Sequence, residues 1–193
     1  MDKTFTISVD VEDFFSNRAN SDSYFGKING KYWGITKIMD ICERFGYKVT
    51  FFVDVDNTEN FVEEEVIKLA CKLISLRGHE VALHTHPPLR PDSNLEKDRV
   101  MSNYDLDYQY QYILKCAKKI ENWTGKWPIS HRAGSYGANK ATFEALSKAN
   151  ILVDSSIFWD RRDFSFTSER PNIHPFKFRQ IIEVPVTSYH LNL

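Results

Sequence analysis

Lys48-Val49-Thr50-Phe51-Phe52-Val53 is a nearly continuous run of β-branched and aromatic residues, and it decides the fold class. A strand with one wet face alternates apolar and polar residues, whereas an unbroken run suits a parallel strand buried on both faces. Parallel strands need long crossovers, and one is readable on each side. Upstream, Ile35, Ile38, Met39, Ile41, Cys42 and Phe45 recur at helical spacing over 35–45, with Gly46 as the stop. Downstream, Phe61, Val62, Val66, Leu69, Ala70, Leu73 and Ile74 recur at threes and fours, which predicts a helix over about 58–77 closed by Gly78. Further out, strands are expected at 4–9, 79–83, 128–131, 151–153 and 180–186. Helices are expected at 104–121 and at 139–149, the second capped by Asn139. Residues 16–34 and the proline-rich 87–91 read as loops. Alternating strands and helices are the signature of an α/β fold with a parallel sheet and right-handed crossovers, as a barrel or a doubly wound sheet.

The chain has 193 residues, 42% of them hydrophobic and 26% charged, close to a soluble globular average and unlike a disordered segment. One domain of this size buries roughly 70% of the surface its unfolded chain exposes, so it folds without disulfides or structural metal. The net charge of −1 gives no whole-chain attraction to nucleic acid or an anionic membrane. Aromatic residues reach 14%, enough for a Phe-rich core and, on a sharper reading, an aromatic-lined sugar site. Cys42, Cys71 and Cys116 are widely spaced and form no CxxC pair, which suits buried thiols in a reducing compartment. Met1-Asp2-Lys3-Thr4-Phe5 lacks a signal-peptide pattern, and no apolar stretch approaches 18 residues, so the expected address is cytoplasmic with no transmembrane segment.

In parallel α/β folds ligands gather at the carboxyl ends of the strands. The strand-like runs lead into Asp10-Val11-Glu12-Asp13, Asp54, His84-Thr85-His86, Arg132, Asp154-Ser155-Ser156 and Thr187-Ser188-Tyr189-His190. Carboxylates, an imidazole pair and a guanidinium describe a metal-assisted hydrolytic site better than a phosphate cradle. No glycine-rich dinucleotide or P-loop motif is present. The acidic run is either a turn capping a strand or a divided pair, one carboxylate serving as general base and another ligating a divalent metal. In an extended segment residues i and i+2 point the same way, so His84 and His86 can reach one metal at about 2.0–2.1 Å. His79 begins the same strand, at its other end, and reads as structural. Arg132 reads as a bidentate partner for a carboxylate or as a surface salt bridge, with Gly134 and Gly137 permitting a sharp turn beyond it.

Taken together, Ser8-Val9-Asp10-Val11-Glu12-Asp13, residues 49–53, the stretch 78–87 ending in His84-Thr85-His86-Pro87, His131-Arg132-Ala133-Gly134-Ser135-Tyr136-Gly137, Val153-Asp154-Ser155-Ser156 and residues 182–186 resemble the polysaccharide deacetylase family, also called the NodB-homology or carbohydrate esterase family 4 fold. The ordered matches span residues 4–190. The resemblance implies a distorted (β/α) barrel with fewer than eight regular strands. It implies a single catalytic domain over 1–193, with a C-terminal end shorter than the family's usual one. It further implies metal-dependent hydrolysis of an N-acetyl or related acyl group on a sugar or polysaccharide, with Zn as the first metal and Co, Ni or Mn as alternatives.

Residue by residue, Asp10 matches the family's catalytic base. The usual metal-binding Asp comes next, where this chain has Val11, so the ligand falls to Glu12 or to Asp13, the latter of the usual residue type. His84 matches the first metal histidine. The usual second lies four residues on, at Pro88 here, and His86 is its substitute. Arg132 matches the arginine that orients the base, and Tyr136 the position whose backbone N–H helps form an oxyanion hole. His190 is the candidate general acid, because His174 lies in a proline-flanked loop. The resemblance leaves two rivals: a metallo-hydrolase of the amidohydrolase type, whose His-x-His normally ends the first strand, and a catalytically inactive sugar-binding module.

Overall fold

A computed structural model describes residues 5–12, 22–56, 63–88, 99–158 and 174–187. The chain forms two compact units, one of residues 1–84 with 118–127, the other of residues 85–117 with 128–193.

In the first unit, β1 (Ser8–Val11), β4 (Thr50–Asp54) and β5 (Glu80–Thr85) run parallel in that order, with Asp10 opposite Phe52 and Asp54 opposite His84. Phe51, Phe52 and Val53 are buried, as the unbroken run in the sequence requires. Strand β1 begins four residues later than the sequence pattern predicts. Phe5 is 66% exposed and packs edge-on against Tyr47 with ring centroids 5.4 Å apart, outside the sheet.

The crossovers are α2 (Ile35–Arg44) and α3 (Glu64–Leu76). Their buried faces are narrower than the apolar spacing suggests. In α2, Ile35, Met39 and Cys42 are buried but Ile41 is exposed; in α3, Ile67, Ala70, Cys71 and Ile74 are buried but Leu69 is 56% exposed. Phe61 and Val62, expected in the first turns of α3, lie outside the described residues.

The expected loop over 16–34 contains a short helix α1 (Asp22–Phe25) and a hairpin of β2 (Lys27–Ile28) and β3 (Lys31–Tyr32). The turn residues are Asn29 and Gly30, both at positive φ (49° and 75°), the Asn-Gly pair that favours a two-residue hairpin turn.

In the second unit, β6 (Ser130–Ala133), β7 (Val153–Asp154) and β9 (Ile181–Glu183) are parallel, and β8 (Phe176–Phe178) pairs antiparallel with β9. The sequence reading expects one strand at 180–186; the structure has a β8–β9 hairpin instead, turning at Arg179, whose φ is 54°. Helix α5 (Lys140–Lys148) starts at the expected cap. The Asn139 side chain accepts from Thr142 N at 3.0 Å, and Asn139 N donates to Thr142 Oγ1 at 3.0 Å, a reciprocal capping box.

Helix α4 (Leu106–Thr124) extends to Thr124, three residues beyond its expected end. Cys42, Cys71 and Cys116 are buried free thiols, as expected. Among the described residues no helix is long and apolar enough to cross a membrane.

Candidate metal centre

The first strand ends on acid. Glu12 follows β1 directly, and its Oε2 lies 2.9 Å from His84 Nε2 at the end of β5. Strand alternation then carries His86 to the side His84 occupies. One ligand atom from each of Glu12, His84 and His86 lies within 4.8 Å of the others. Both imidazoles are buried, at 2% and 4% exposure, so they are shielded from competing water.

The local charge favours a cation. Burial by itself pushes the His84 pKa down, but the Glu12 hydrogen bond, with Asp10 and Asp54 nearby, outweighs it and raises the pKa above the ordinary histidine value. Asp54 closes β4, is buried, and accepts from Asp56 N at 3.2 Å. Two imidazoles and a carboxylate match the donor set of a Zn-type divalent ion.

His86 is oriented from several sides. Its Nδ1 lies 3.3 Å from the Arg99 carbonyl, and a donating Nδ1–H there leaves the lone pair on Nε2, the arrangement typical of a metal-ligating histidine. Tyr112 Oη donates to the His86 carbonyl at 2.9 Å, Arg99 Nε to the Pro87 carbonyl at 3.2 Å, and Tyr104 Oη to the Pro88 carbonyl. Arg99 is buried, and its guanidinium donates to the main-chain carbonyls of Pro87 and His86. Gly134 leaves room for the ring, because a Cβ there would stand 2.3 Å from His86 Nε2.

The structure thus brings together Glu12, His84 and His86 from the expected site, with Asp10 near enough to act on His84. Asp13, the alternative carboxylate ligand, and His190, the expected acid, lie outside the described residues. In the second unit Arg132 is buried at the end of β6, with Nε donating to the Ser155 carbonyl at 3.0 Å and Nη2 to Ser155 Oγ at 2.9 Å. Tyr136 sits in a 3₁₀ turn (Gly134–Tyr136) in which Ser135 and Tyr136 have φ of 52° and 58°. Left-handed backbone in two successive non-glycine residues is strained, a feature that clusters at functional sites. The Tyr136 ring stacks on Phe158 with centroids 5.0 Å apart.

His79 is structural, as read from its position: Nδ1 accepts from Val49 N at 3.1 Å, and Nε2 lies 3.0 Å from Glu43 Oε1. The sequence reading missed Arg99, Tyr104 and Tyr112, which carry no motif and act through backbone carbonyls. It also missed the buried His131 and Glu183.

Residues 30–153, more than half of the chain, match the family model described as polysaccharide deacetylase. A peptidoglycan deacetylase-like protein of Gibberella zeae is 28% identical over 144 residues, 74% of this chain and 38% of that protein. A crystal structure from Mycobacterium smegmatis, of a protein assigned to the polysaccharide deacetylases, superposes with a TM-score of 0.64 at 18% identity, covering 94% of this chain and 58% of that one. The Streptococcus pyogenes deacetylase PplD, solved with acetate, gives 0.50 at 15% identity, over 77% of this chain and 54% of that one. The chain therefore spans well under two thirds of the length of each. At these identities the solved structures establish the fold, the distorted α/β barrel class expected from the sequence.

Proposed function

Because the chain belongs to the polysaccharide deacetylase family, we propose that it removes an N-acetyl or related acyl group from a sugar or polysaccharide by metal-dependent hydrolysis of the C–N amide bond. The observation that carries this reading is the convergence of Glu12, His84 and His86 beside Asp10. Glu12, His84 and His86 would hold the ion, with Zn the first candidate and Co, Ni or Mn the alternatives. A divalent ion of this kind, when bound, polarises a carbonyl and acidifies water.

The chain's own residues supply the rest. Asp10 is the general base, its carboxylate accepting the proton of the attacking water. Arg132 orients that base. The Tyr136 backbone N–H donates to the developing oxyanion, a contribution of about 3–4 kcal/mol in comparable sites. His190 protonates the leaving amine. The single catalytic domain spans 1–193 on this reading.

Acetate release from a panel of N-acetylated sugars, with and without chelator, tests the function. Release that chelator abolishes and added Zn²⁺ restores is expected. Release indifferent to chelator, or none from any substrate by metal-loaded protein, overturns it.

A further inference from the structure

His84 and His86 face one side of β5, so Thr85 between them faces the other. That hidden side carries a row of buried polar groups. Thr85, His131, Asp154 and Glu183 each have 0% exposure, and they come from β5, β6, β7 and β9. The strand register places His131 beside Asp154 and Asp154 beside Glu183. Polar groups so deep in a fold persist only when each finds a partner.

The bonds in this row have a fixed direction. His131 Nδ1 lies 2.6 Å from Asp154 Oδ1, and a carboxylate can only accept, so the ring nitrogen donates. Nε2 lies 2.8 Å from the Thr85 hydroxyl, and in a neutral ring so arranged its lone pair accepts from that hydroxyl. Asp154 accepts further from Ser156 N at 3.0 Å and Ser156 Oγ at 2.9 Å, which offsets the cost of burying its charge. Burial, then the Asp154 charge, pushes the neighbouring Glu183 carboxyl far above its usual range, so it stays neutral beside the ionised Asp154. Ile157 N donates to Glu183 Oε1 at 2.9 Å and holds it there. Asp154 thereby sets the tautomer of His131, and His131 sets the orientation of the Thr85 hydroxyl.

We propose that Thr85 is a positioning residue: the row Glu183, Asp154 and His131 anchors its hydroxyl from behind the strand, and so holds the His84-Thr85-His86 segment in the one conformation that presents both imidazoles to a divalent cation. This rests on the metal reading of the preceding section. A fully buried anchor one residue from each ligand restrains both rings at once, which no partner of a single ring does. Outer-sphere groups of this kind typically govern about 10–100-fold in metal affinity.

The test is calorimetric titration of chelator-stripped full-length protein with Zn²⁺, which reads binding without any substrate. Wild type is compared with Thr85→Val, which keeps the shape and loses the hydroxyl, and with Thr85→Ser, which keeps the hydroxyl. Thr85→Val is expected to bind Zn²⁺ about 10–100-fold more weakly, and Thr85→Ser to recover most of the wild-type affinity. A folded Thr85→Val with wild-type affinity overturns the positioning role and leaves the metal site intact. Failure of wild type itself to bind Zn²⁺ overturns the metal reading, and this inference with it. Nitrogen-15 shifts of His131 in unmodified protein add a check that needs no variant. A neutral ring protonated on Nδ1 is expected, and a proton on Nε2 overturns the proposal even if Thr85→Val does not fold.

Discussion

Gly134 lies against the face of the His86 imidazole so closely that a Cβ at this position would stand 2.3 Å from both Nε2 and Cε1. The glycine is there for space, since its neighbour is a buried ring that cannot swing aside. Gly134→Ala is expected to displace the ring, lower stability by about 1–3 kcal/mol as an overpacked site, and weaken Zn²⁺ binding. Thermal unfolding and metal titration of the variant check this; unchanged values in both would mean that the ring has another place to go.

The carboxylate ligand can be settled chemically. Glu12 bonds His84 and shares the ligand cluster with His86, so Glu12→Ala is expected to purify with its metal lost. Asp13→Ala is expected to keep its metal. Elemental analysis of the two variants decides, and the opposite pattern reassigns the ligand.

Asp10→Asn should retain the fold and the metal while losing roughly 10²–10⁴-fold in rate, the range for removing a general base. Loss of metal together with activity would make Asp10 a ligand instead.

Acid should weaken the first unit through Glu43. The Arg77 guanidinium hydrogen-bonds its carboxylate, His79 adds to this, and together they lower its pKa from 4.5 to about 2. A depressed carboxyl stabilises the fold above its unfolded pKa and loses that contribution as pH falls through the folded one. Stability is therefore expected to decline between about pH 4.5 and 2, less steeply in Glu43→Gln. The ion pair is exposed, so high salt should shrink the difference. Denaturant midpoints across this range, in both proteins, are the measurement.

Glu183 has the opposite sign. Its carboxyl is pushed up to about 11, so it stays protonated in the fold while the unfolded chain ionises near 4.5. The unfolded state then binds fewer protons, and stability falls as pH rises from about 4.5. Glu183→Gln, neutral at every pH, is expected to be more stable than wild type at pH 8 and similar to it at pH 4. Equal slopes of stability against pH in the two proteins would show that Glu183 ionises in the fold.

The sequence by itself determined the features that depend on a few adjacent residues. The unbroken apolar run of β4, the common direction of His84 and His86, the Asn139 cap and the structural role of His79 follow from backbone geometry over one strand or one helical turn. The Asn29-Gly30 turn was equally legible, but the polar stretch around it reads first as loop. Tertiary structure alone decided what depends on packing between distant segments. Apolar spacing cannot say that Leu69 is left outside the buried face of α3. A turn rich in carboxylates does not reveal that Glu12 meets an imidazole more than seventy residues away; the tertiary contact with His84 does. The glycine that makes room for His86 and the buried row behind Thr85 are likewise contacts between strands, fixed by sheet register and by the need to satisfy every polar group removed from water.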